Sequence, residues 1–119
     1  MAVPENLRVM SLRKLMRRLR KHAPLCAPVR LRQQKDPKCW GELCIGRMDT
    51  RARRGRIVGF TLVLEVRLPK GEKWDCIVHE WAHGLDRAKR HWKRPKDCHD
   101  SRFGVEWARA FRAAHGNEP

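Results

Sequence analysis

Residues 78–85 read Val-His-Glu-Trp-Ala-His-Gly-Leu, and His79, Glu80 and His83 within them form the pattern H-E-x-x-H. On a helix, positions i and i+4 share a face, so His79 and His83 can direct imidazole nitrogens at one metal ion. Glu80 lies one step round and can reach a water on that ion without taking a coordination position. Two neutral imidazoles leave most of the charge of a Zn²⁺ ion available to acidify water, and the carboxylate can take the proton. The chemistry this spacing serves is zinc-assisted hydrolysis.

A catalytic zinc has three protein ligands and one open position. A third histidine six residues after His83 is excluded, because position 89 is Lys. His91, His99, Asp86 and Glu106 remain as candidates. His91 stands in a turn rich in Lys and Arg, where a surface histidine is the simpler reading. His99 precedes the last helical segment, and a loop could return it to the metal. Asp86 shares the face of His79 and His83 and could orient a ligand, but a helix-surface acid paired with a nearby Arg is the simpler reading. Glu106 has the spacing of a glutamate ligand, but a salt-bridged helix acid is the simpler reading.

These residues need elements to position them. The periodicity predicts a helix over residues 4–22, with Leu12, Leu15, Met16 and Leu19 on one face and Pro24 near its end. Short segments of strand character follow at Val29 to Gln33, Gly41 to Met48 and Ile57 to Leu68, with a turn expected at Arg51-Ala52-Arg53-Arg54-Gly55. After Pro69-Lys70-Gly71 the period becomes helical. Trp74, Ile77, Val78, Trp81, Ala82 and Leu85 give an apolar face to a helix from Glu72 to Arg90, and a last helix runs from Asp97 to His115. The expectation is an α+β domain of 119 residues, a minimal zincin-like arrangement of helix, about three strands, motif helix, loop and C-terminal helix. Residues 116–119 are expected to fray.

Val78-His79-Glu80-Trp81-Ala82-His83-Gly84-Leu85 followed by Cys98-His99-Asp100-Ser101-Arg102-Phe103 resembles the SprT-like family of small zinc metallopeptidases. The resemblance covers Val29 to Phe111. It implies His79, His83 and His99 as zinc ligands, Glu80 as general base, and an aromatic, here Phe103, four residues after the third histidine. It further implies Zn²⁺ as cofactor, peptide-bond hydrolysis, and protein substrates associated with DNA. Asp100 stands where family members often have Gly, and no C-terminal zinc ribbon follows the last helix. The alternative is a non-catalytic nucleic-acid-binding or regulatory protein that keeps the fold.

Twenty-eight Lys and Arg against thirteen Asp and Glu give a formal charge of +15, which attracts polyanions. The cations cluster on the first helix, from Arg47 to Arg56 and from Arg87 to Lys96. Arg13, Arg17, Arg18, Arg53, Arg54, Lys93 and Arg94 are therefore candidate contacts to a nucleic-acid backbone, without base readout. Trp40 and Trp92, on irregular segments, could stack on bases or substrate side chains, whereas Trp74, Trp81 and Trp107 are spaced for the core. Five cysteines with no secretion signal suggest reduced thiols and a cytoplasmic protein, a monomer is the default with the oligomeric state left open, and no apolar run could span a membrane. Cys39-x4-Cys44 is a weak candidate for a structural zinc, and Cys44 and Cys76 read as buried thiols.

Overall fold

The computed structural model describes residues 11–92 and 97–115 and is an α+β fold with three helices and a small mixed sheet. In chain order the elements are α1 (Leu12–His22), β1 (Val29–Gln34), β2 (Lys38–Cys39), β3 (Glu42–Leu43), β4 (Gly46–Arg53), β5 (Arg56–Glu65), α2 (Lys70–Lys89) and α3 (Ser101–His115). No described helix is long and apolar enough to cross a membrane.

The first helix starts at Leu12, so the expected start at residue 4 is corrected. Ser11 has extended backbone angles and its Oγ accepts the Lys14 N–H at 3.1 Å, which caps the helix. Residues 4–10 lie outside the described residues. Cations at positions 13 and 17, 14 and 18, and 17 and 21 repel along α1, each pair by about 0.2–0.5 kcal/mol. Full burial of Leu15 and Leu19 stabilises by about 1.5–3 kcal/mol each and outweighs this. Packing, not propensity, therefore holds α1 in place.

The three-stranded sheet has the order β1-β5-β4, with β5 central, parallel to β1 and antiparallel to β4. Phe60, Leu62 and Leu64 alternate along β5, and all three join the main core cluster with no exposed surface. The expected strand over Gly41 to Met48 is two elements. Glu42–Leu43 pairs back on Lys38–Cys39 as a small hairpin, and β4 then runs from Gly46 to Arg53. The expected basic turn of residues 51–55 contracts to Arg54-Gly55, both at positive φ (53° and 75°), between the paired Arg53 and Arg56. Two central residues at positive φ match the twist of the flanking strands, so Arg51 to Arg53 stay in the ladder. β5 ends at Glu65 rather than Leu68, because the chain turns there. Arg67 pairs with both Glu65 and Asp36, tying that turn to the end of β1.

The motif helix α2 packs on β4 and β5, and α3 packs on α2 and α1. Gly46 permits the close approach of β4: a Cβ there would lie 2.4 Å from Cys76 Sγ and 3.2 Å from the Val63 carbonyl oxygen. Trp81, between the motif histidines, is fully buried, and its Nε1 donates to the Ala23 carbonyl at 2.7 Å. That bond fixes the end of α1 against the middle of α2. The last helix begins at Ser101, four residues later than expected, leaving His99 in the loop before it.

Candidate metal centre

His79 and His83 leave the same face of α2, opposite the side that buries Trp81. His99 arrives from the loop preceding α3. The three Nε2 atoms lie 3.1 Å (His79–His83), 3.2 Å (His83–His99) and 3.2 Å (His79–His99) apart. Among the described residues they are the one group of three or more His, Cys, Asp or Glu side chains whose donor atoms converge in this way. Three nitrogen lone pairs at such separations repel unless a cation or shared proton lies among them. A tetrahedral ion with metal–nitrogen distances of about 2.0–2.1 Å has nitrogens about 3.3–3.4 Å apart, so the donor set fits zinc in size and chemistry.

Burial, with the charges of His99 and His79 as lesser causes, lowers the affinity of His79 and His83 for protons, and His83 falls to about 3. Both are neutral at pH 7, the form that donates a lone pair to a metal. Phe103 is the platform beneath the triad. Its ring centroid lies 4.3 Å from His83, nearly parallel to it, 5.0 Å from His99 and 5.4 Å from His79.

The loop carrying His99 is held by a charged hub. Arg90, just past α2, donates through Nε to both carboxylate oxygens of Asp86 (2.9 and 3.0 Å) and through an NH₂ nitrogen to Asp100 (2.6 Å). Asp100 Oδ1 also accepts the Phe103 N–H at 3.1 Å, capping α3. Asp100 thereby sets both the start of α3 and the position of its neighbour His99. The Arg90 hydrogen bond, followed by that of Phe103, holds the Asp100 carboxyl below the usual range.

Three sequence alternatives to His99 are not brought to the centre. His91 is exposed, at positive φ in the turn after α2. Asp86 pairs with Arg as anticipated, but it is buried rather than on the surface. Glu106 is also buried and accepts from Lys89 Nζ at 2.7 Å, joining α2 to α3. Cys98 Sγ lies 3.7 Å from His99 Nδ1 but outside the converging group.

Glu80 lines the same cleft as the triad, a cavity of about 990 Å³ that also meets β4. Burial pushes its carboxyl up to about 7, with Arg87 opposing. Lys38, Arg47, Arg87 and the exposed Trp40 lie on the walls of this cleft. Trp92 also borders it but packs on Phe60, with centroids 5.7 Å apart. The Cys39 and Cys44 thiols face each other at 2.6 Å across the β2–β3 hairpin, and burial pushes Cys39 up to about 12. Cys44 is only partly buried, unlike Cys76.

Among the backbone-binding candidates, Arg13, Arg17, Arg53 and Arg54 are exposed. Arg18 is not free for a phosphate: it donates to the carbonyls of Ala114 (3.4 Å) and His115 (3.2 Å) at the end of α3. Sequence could not show this, because the partners are almost a hundred residues away. Lys93 and Arg94 lie outside the described residues. Sequence reasoning also missed Arg90 and Asp100 as organisers of the centre.

No protein-family model, curated protein or solved structure matches this chain. The likeness to the SprT-like family rests on the motif residues themselves.

Proposed function

We propose that this protein is a zinc-dependent endopeptidase of the SprT-like, zincin type. The observation that carries the reading is the convergence of three Nε2 atoms from α2 and the loop before α3, with Glu80 in the same cleft. His79, His83 and His99 would hold the zinc, which would supply a Lewis acid to acidify water and polarise a peptide carbonyl. Glu80 accepts the proton of the attacking water on a carboxylate oxygen and returns it to the leaving amine. An extended substrate pairs with β4, the outermost strand of the sheet, which lines the cleft from Gly46 to Thr50.

Exposed Arg13 and Arg17 on α1 and Arg53 and Arg54 on the β4–β5 hairpin engage nucleic-acid phosphates and bring DNA-associated proteins to the cleft. The same hairpin favours the second reading, a nucleic-acid-binding module without turnover. The test is cleavage of an unfolded protein substrate by zinc-loaded parent and Glu80→Gln protein, with and without DNA. Cleavage by the parent that collapses in the variant, at equal zinc content, supports the enzyme. Absence of cleavage with tight, salt-sensitive DNA binding supports the module.

A further inference from the structure

The β2–β3 hairpin forms part of the rim of the metal cleft, which Cys39 and Trp40 line. Its turn is Trp40-Gly41, both at positive φ (58° and 83°), and its ladder has two residue pairs, Lys38 with Leu43 and Cys39 with Glu42. A hairpin this short is marginal on its own backbone bonds. It nevertheless carries two strongly exposed apolar side chains, Trp40 at 83 % and Leu43 at 69 %. Alternate residues of a strand share a face, so Cys44 stands on the face of Glu42 and of its partner Cys39. The Cys44 N–H donates to the Pro37 carbonyl at 2.9 Å and carries the pairing one step further. The Cys39 and Cys44 Sγ atoms consequently meet at 2.6 Å. Two sulfurs on one tetrahedral zinc stand about 3.8 Å apart, and no third donor among the described residues joins these two. Bonded sulfurs stand about 2.05 Å apart, so the contact is nearer to a disulfide than to a shared metal.

We propose that Cys39 and Cys44 are an oxidative modification site, closing to a disulfide that staples the hairpin on the rim of the cleft. This chemistry needs neither the metal nor peptide cleavage. Both thiols are partly buried and within reach of a small oxidant, whereas Cys76, whose Sγ packs against Gly46, is buried. The oxidant is a small-molecule disulfide of the glutathione type. One protein sulfur, as its thiolate, attacks a glutathione sulfur, forming a mixed disulfide and expelling one glutathione thiolate. The other protein sulfur gives up its proton and attacks the protein sulfur of that mixed disulfide. The Cys39–Cys44 bond forms and the second glutathione thiolate leaves. Two protein thiols thus lose two electrons and two protons, and one glutathione disulfide becomes two thiols. The bond closes a short loop around Trp40 and Gly41, so it restrains the segment that presents Trp40 at the cleft.

Full-length protein incubated with oxidised glutathione, then digested with trypsin and weighed, tests the site. Cleavage after Lys38 and after Arg47 leaves both cysteines in one peptide, residues 39–47. That peptide is expected to lose two hydrogens without carrying glutathione, and to regain them with dithiothreitol. Cys39→Ser and Cys44→Ser should each abolish the internal loss. The variant that keeps the attacking sulfur should hold a glutathione adduct there, because the second thiol that would expel it is gone. Amide hydrogen exchange over residues 38–45 should slow by roughly tenfold or more on oxidation, as closing a short loop removes open conformations. A peptide 39–47 that stays reduced while the exposed Cys26 takes up glutathione overturns the site. So does a disulfide from either cysteine to Cys76. An internal bond that leaves the exchange of residues 38–45 unchanged overturns the staple.

Discussion

Replacing Phe103 by Leu separates an organised metal centre from three histidines that merely lie close. The Phe103 ring touches all three imidazoles and is 7 % exposed, so it serves both the core and the triad. Leucine retains most of the volume, and a volume-conserving swap costs under about 1.5 kcal/mol. The lost ring contacts are worth about 0.5–1.5 kcal/mol per well-formed pair, and the best formed is the stacked His83 pair. Metal-free protein should therefore lose about 1–2 kcal/mol of stability, a fall in Tm of roughly 4–12 °C for a chain of this size. If the platform also holds the rings at their bonding separation, loosening it acts on metal affinity as loss of an outer-sphere partner does. The zinc Kd should then rise by about tenfold or more. Competition against a chromophoric chelator gives the Kd, and thermal melting of the metal-free protein gives the stability. A lowered Tm with a Kd within twofold of the parent would refute the positioning role and reduce Phe103 to ordinary core.

His99→Ala, His79→Ala and His83→Ala should each lose zinc by elemental analysis, while His91→Ala retains it; the reverse for His99 and His91 removes the ligand assignment. Glu80→Gln should keep zinc and fold but lower peptide hydrolysis by roughly 10²–10⁴-fold, and an unchanged rate takes Glu80 out of the mechanism. Gly46→Ala should cost about 1–3 kcal/mol in denaturant unfolding, because its Cβ meets Cys76 Sγ and a carbonyl; an unchanged midpoint means that β4 moves freely from α2. Arg53→Glu with Arg54→Glu should weaken duplex binding and flatten its salt dependence without altering Tm, whereas Arg18→Ala should lower Tm by uncapping α3. Duplex affinity that stays constant from low to physiological salt would assign the charge another role.

The motif helix was legible because its information is local. The apolar face of Trp74, Ile77, Val78, Trp81, Ala82 and Leu85 is a period of one helix, and His79 and His83 share the opposite face by backbone geometry alone. β5 was legible from its local richness in Val, Leu and Phe, and Phe60, Leu62, Val63 and Leu64 are all buried. The helix start at Ser11 and the two-residue turn at Arg54-Gly55 were misjudged although their signals are local. A capping serine and a pair of residues at positive φ compete there with periodicity that continues past them. What no spacing determines is which distant groups meet. His91 and His99 are equivalent as residue types, and periodicity alone does not choose between them. Residue resemblance favoured His99, and the fold brings its Nε2 to 3.2 Å from both helix histidines. Its loop is anchored through Asp100 to Arg90, and α3 is seated by the burial of Phe103. Arg18 and Arg17 are likewise alike in sequence, and only the docking of α3 turns one into a cap while the other stays in solvent. Local periodicity follows from backbone geometry, but a site assembled across a loop follows from how the core closes.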